Sequence, residues 1–97
     1  MSASETIVAA ATPAGRSALA IVRVDGPLAS AIATAALARK TPLSEKTSTL
    51  GIWRNQDGEA IDQVVAVLWH ASRSFTSNDS LEITCHGNPL IVRRLTE

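Results

Sequence analysis

A chain of 97 residues is bounded at one domain, and a 45% hydrophobic content is enough for a modest core. Its 9 basic residues balance 9 acidic ones with no lysine or arginine run, and aromatics make up only 3%. This argues against a nucleic-acid binder that relies on its own field or on base stacking. A single cysteine rules out an intrachain disulfide and fits a reducing, cytoplasmic setting. The start, MSASE, lacks the basic and apolar regions of a signal peptide, and no run of about 18 apolar residues offers a membrane span.

Residues 6–11, TIVAAA, read as a short strand, apolar on both faces. Pro13 and Gly15 break it: proline fixes φ and glycine allows φ > 0, so a tight, shaped loop follows. A second strand spans 18–24, where Leu19, Ile21 and Arg23 alternate with Ala20, Val22 and Val24. Apolar residues on both faces suggest a central position in the sheet. Arg23 is the anomaly. Desolvating a guanidinium without a partner is costly, so either an acid elsewhere or a ligand answers it.

Asp25-Gly26-Pro27 predicts a helix start with Pro27 at the first helical position, and the helix runs to Lys40. Leu28, Ala29, Ile32, Ala33, Ala36 and Leu37 form its apolar face, with Ser30 and Thr34 opposite. Arg39 and Lys40 then stand at the negative end of the macrodipole. Residues 47–54 predict a strand, Asn55-Gln56-Asp57-Gly58 a hairpin turn, and 60–69 the return strand. Residues 71–80 read as a polar loop with Phe75 tucked beneath it. A further strand at 81–85 places Leu81, Ile83 and Cys85 on one face, and Glu82, Thr84 and His86 on the other. Asn88 caps a last helix that begins at Pro89. The sequence stops about two turns later, as a fragment of a longer protein would.

Few residues carry chemistry by motif. None of the five glycines is followed by lysine, so neither a Walker-type loop nor a dinucleotide fingerprint is present. Cys85, His70 and His86 do not make a zinc-ligand spacing. Cys85 reads as a small core residue and His86 as a turn or cap histidine. An independent small enzyme finds no nucleophile–base pair or metal cluster here. Glu82, mid-strand between Leu81 and Ile83, is the natural counterpart of Arg23. The two form either a structural salt bridge or two walls of one ligand pocket. Composition and spacing leave both open.

Three blocks, in order, carry a family resemblance. The first is Thr6-Ile7-Val8-Ala9 through Thr12-Pro13-Ala14-Gly15-Arg16, continuing in Ala20-Ile21-Val22-Arg23-Val24-Asp25-Gly26-Pro27. The second is Asp57-Gly58 with Ile61-Asp62-Gln63. The third is Ser74-Phe75-Thr76, Asp79 and Leu81-Glu82-Ile83-Thr84-Cys85-His86-Gly87. Together they resemble the N-terminal domain of the MnmE (TrmE) family of tRNA-modification GTPases, nearly collinearly over almost the whole chain. The family usually has a second proline at Ala14, glycines at Ser17 and Ala18, Gly-Glu at Ser77-Asn78 and a second glycine at Asn88.

The resemblance implies an α+β fold: a small mixed sheet of about five strands with two helices, like the folate-binding domain of aminomethyltransferases. It implies that residues 1–97 form an N-terminal folate-binding and homodimerisation domain, truncated at its C-terminal end. The implied ligand is 5-formyl-tetrahydrofolate, with Arg23 and Glu82 matching family contacts, while a lysine contact of the family lies beyond Glu97. No catalytic residue and no metal ligand is implied in this stretch. GTP, magnesium and potassium belong to a separate GTPase domain of the family. With the flavin-dependent partner MnmG (GidA), the family adds an aminomethyl-type group to the wobble uridine of tRNA. The substitutions at Ser77, Asn78 and Asn88 motivate an alternative, an assembly module that has lost folate binding.

Overall fold

The computed structural model describes residues 6–11, 18–70 and 78–96. The predicted loops around Pro13–Gly15 and Phe75 fall outside them. Strand β1 covers Ile7–Ala10, β2 Leu19–Asp25, β3 Thr49–Arg54, β4 Ala60–Trp69 and β5 Ser80–His86. Helix α1 covers Ala29–Ala36 and α2 Pro89–Thr96. The five strands form one sheet in the order β1-β2-β5-β4-β3. Every neighbouring pair is antiparallel, which narrows the expected mixed sheet to an antiparallel one. Strand β2 is interior, as its apolar faces predict, but the middle of the sheet is β5.

The period-2 pattern sorts side chains between two layers. One row across the sheet reads Val8, Val24, Leu81, Leu68, and the next reads Ala10, Val22, Ile83, Ala66. Both helices lie over these rows, and Ala29, Ala33 and Leu95 complete the buried cluster. Cys85 belongs to it, as expected of a small core residue. Alanine at 29 and 33 lets α1 approach the strands closely, since no longer side chain stands between backbone and sheet.

Helix α1 is shorter than the pattern predicts at both ends. Gly26 takes φ 144, a conformation open to glycine, and Pro27-Leu28 form a turn before the helix begins. The Leu28 N–H, an orphan donor of the first turn, is taken by the Thr6 hydroxyl at 3.0 Å. Leu28 itself is exposed instead of lining the apolar face. At the other end Arg39 N–H bonds to the Thr34 carbonyl and Ala38 N–H to that of Ala35, the two bonds of a Schellman stop. Ala38 holds the left-handed position at φ 52, where glycine is usual. Arg39 and Lys40 therefore lie past the helix, and the Arg39 Nε–H donates to the Thr41 carbonyl.

The β3–β4 hairpin turns where Asn55-Gln56-Asp57-Gly58 predicts. The Asn55 N–H bonds to the Glu59 carbonyl, its Oδ1 accepts from the N–H groups of Asp57 and Glu59, and Gly58 sits at φ 83. Helix α2 starts at Pro89 with Asn88 Oδ1 accepting the Leu90 N–H at 2.9 Å, the expected side-chain cap.

Candidate functional site on the helix-free sheet face

The sheet face away from the helices carries the residues that sequence could not place. Arg23 and Glu82, 59 positions apart, are directly opposite in the β2–β5 register. The Arg23 Nη2 donates to Glu82 Oε1 at 2.8 Å. Side-chain exposures of 44% for Arg23 and 31% for Glu82 keep the pair in contact with water. Such a pair contributes little to stability, because solvent screens it. It engages one carboxylate oxygen, and Oε2 and further guanidinium N–H groups lie outside this bond. Ala9 and Val67 extend the row on either side, and Ile21, Thr84, Val65 and Leu50 form the next. Leu19, Leu50 and Ile52 are exposed on this face. A charged, directional centre is thus framed by apolar side chains.

A second polar cluster lies at the end of β5, where His86 meets Asp62 of β4. The β4–β5 ladder stops at the pair Val65–Thr84. Beyond it the Asp62 carboxylate takes the place of a strand partner: it accepts the His86 backbone N–H at 2.8 Å and bonds to His86 Nδ1 at 2.8 Å. The Asp62 side chain is 9% exposed and the His86 ring 64%. His86 is therefore more than a turn residue; a buried carboxylate holds it. Sequence reasoning missed Asp62 as its partner. The signal was present, since Asp62 shares parity with the core residues Val64, Ala66 and Leu68, where an acid needs a donor. Cys85, on the core side of β5, has its thiol pKa raised, first by burial and then by the negative charge of Asp62.

A partly apolar groove lies elsewhere. It measures about 730 Å³ and opens on the helix side, between α1, α2 and the hairpin, over Val8, Val24, Ile32, Trp53, Ile61 and Leu95. Neither Arg23 nor Glu82 lines it. Among the described residues the polar pair lies on the sheet face away from this groove. Among the described residues no cluster of three or more His, Cys, Asp or Glu could hold a metal ion. No described helix is long and apolar enough to cross a membrane.

A small antiparallel sheet with both helices on one side, and an arginine–carboxylate pair on the other, defines a small α+β module. The chain belongs to the family described as the GTP-binding protein TrmE N-terminus, whose model matches residues 6–97. It is 45% identical over 93 residues to the tRNA modification GTPase MnmE of Opitutus terrae, covering 96% of this chain and 20% of the relative. The MnmE of Thermotoga maritima is 38% identical over 93 residues with the same coverage, and that of Christiangramia forsetii 39% identical over 101 residues. The chain thus spans about a fifth of the length of these relatives.

Proposed function

We propose that this chain is the folate-binding and homodimerisation domain of a GTPase that modifies the wobble uridine of tRNA. The Arg23–Glu82 pair on the helix-free face, flanked in its row by Ala9 and Val67, carries the reading. A reduced pterin presents an exocyclic amine beside a ring N–H, a donor pair that a carboxylate accepts. The guanidinium offers its remaining N–H groups to a ligand oxygen. The ligand is 5-formyl-tetrahydrofolate. The exposed Leu19, Leu50 and Ile52 support self-association through the same face.

Family membership supports the rest of the reading. GTP, with magnesium and potassium, is bound and hydrolysed in a separate domain of the full-length protein. There it works in the cytoplasm with tRNA and the flavin-dependent partner MnmG (GidA), adding an aminomethyl-type group whose carbon comes from the folate.

Calorimetric titration of the full-length protein with 5-formyl-tetrahydrofolate tests the site. Binding is expected in the parent protein and a loss of at least tenfold in Arg23→Ala and Glu82→Ala, taking about 1.5 kcal/mol or more for a hydrogen bond to a charged group. Unchanged affinity in both variants removes the assignment. One observation favours a second reading: Arg23 and Glu82 already satisfy one another at 2.8 Å. On that reading the face serves assembly alone. A sedimenting dimer that Leu50→Lys dissociates, with no thermal shift at saturating folate, would select it.

A further inference from the structure

We propose that His86 is a third ligand-contacting residue of this face. Its Nε2 accepts a hydrogen bond from an N–H on the aminobenzoyl-glutamate arm of the folate whose pterin meets Arg23 and Glu82. The inference rests on the folate reading above and names a residue that reading leaves out.

The geometry begins with Asp62. Its carboxylate already accepts the His86 backbone N–H, and an ionised carboxylate is acceptor-only. The ring atom 2.8 Å from it, Nδ1, must therefore be the donor. The neutral ring then carries its proton on Nδ1 and presents the Nε2 lone pair outward. A buried carboxylate behind an exposed ring orients that lone pair toward solvent, as a carboxylate does behind a histidine ligand.

The placement follows from the strand. Glu82, Thr84 and His86 alternate outward along β5, which puts His86 roughly 13 Å from Glu82 at about 3.3 Å per residue. Between them Ile21 on β2 and Val65 on β4 flank Thr84 and make apolar walls for a benzoyl ring. Leu19 stands opposite His86 as an exposed ledge.

The charges select a donor over an anion. The Asp62 carboxylate lies behind the ring, bonded to its Nδ1. On β2 the nearest cation, Arg23, is paired with Glu82. Helix α1 carries no charged residue, and Arg93 and Arg94 of α2 belong to the helix side of the sheet. A ligand N–H suits this field, whereas a carboxylate at Nε2 meets Asp62 behind it.

Two substitutions separate the ligand contact from the structural clasp. Asparagine places a donor where Nδ1 stands but has nothing at Nε2; glutamine reaches the Nε2 position and gives up the Asp62 bond. With 5-formyl-tetrahydrofolate and the full-length protein, His86→Asn is expected to keep its melting temperature and bind about three- to tenfold more weakly. His86→Gln is expected to melt lower and keep most of its affinity.

Equal affinity in His86→Asn and parent, with Arg23→Ala still impaired, would overturn the His86 contact and leave the folate reading standing. A parent protein that binds no folate, or is indifferent to Arg23→Ala and Glu82→Ala, would overturn both.

Discussion

Arg23 and Glu82 face one another across the β2–β5 ladder and are joined at 2.8 Å, with both side chains still reaching solvent. Their neighbours in the row are Ala9 and Val67, so no other charge in that row competes for either. A double-mutant cycle over Arg23→Ala and Glu82→Ala is expected to give a coupling of about 0.2–1 kcal/mol in unfolding free energy, in the range of exposed cross-strand pairs. Chemical denaturation measures it. A coupling of several kcal/mol would mean that the pair is a structural element, against the ligand role.

The Asp62 clasp is expected to matter more to the fold. Asp62→Ala removes the acceptor of the His86 N–H at the end of the β4–β5 ladder, together with the contact to Nδ1. Loss of charge-assisted bonds from a buried carboxylate costs about 1.5–3 kcal/mol. Asp62→Asn, which keeps one carbonyl acceptor, falls between the alanine variant and the parent. Urea unfolding midpoints with unchanged slopes check the order.

Ala38 stands at φ 52 in the stop of α1. A Cβ in the left-handed region costs roughly 1 kcal/mol, and glycine avoids it. Ala38→Gly is therefore expected to raise stability by about 0.5–1 kcal/mol, partly offset by the added freedom of the unfolded chain. Thermal melts read the gain, and a lower melting temperature would show that the Schellman stop is not the state in solution.

Cys85 gives the domain an alkaline limit. Its thiol pKa is raised in the folded protein by burial and by Asp62. Above roughly pH 8.5, the ordinary thiol value, the unfolded chain has lost this proton while the folded one keeps it. The folded state then binds more protons, so stability falls as pH rises through the window between the two values. Cys85→Ala is expected to flatten that slope, read as melting temperature between pH 8 and 10, although it lowers stability at every pH through the lost packing. The native thiol should also react slowly with a disulfide reagent, at a rate that follows unfolding.

Helix α2 divides its apolar residues between the helix-side groove and the outside. Leu90 is exposed and Ile91 and Val92 are half-buried, but Leu95 is buried and forms part of the groove wall. The helical period sends Leu95 inward and leaves Leu90 on the outer side.

Much of the local structure was legible beforehand. Alternation in β5 correctly separated Leu81, Ile83 and Cys85 from Glu82, Thr84 and His86. The Asp57-Gly58 turn and the Asn88-Pro89 helix start stand where their backbone chemistry puts them. The limits of α1 were not legible. Its apolar period continues through Leu28 and Leu37, whereas the turn at Gly26 and the left-handed Ala38 cut it at both ends.

The site divides in the same way. Sequence alone determined that Arg23 needed a partner and that Glu82 sat on a strand face able to provide one, because desolvation cost and strand period are local properties. It also determined the family, through motifs in a fixed order. Only the tertiary structure decided that β2 pairs with β5 in the register that sets Arg23 against Glu82. It alone brought Asp62, 24 residues away, to the Nδ1 of His86. Registers and ladder ends depend on which strands become neighbours, a choice made by burial of the whole core at once rather than by any one segment.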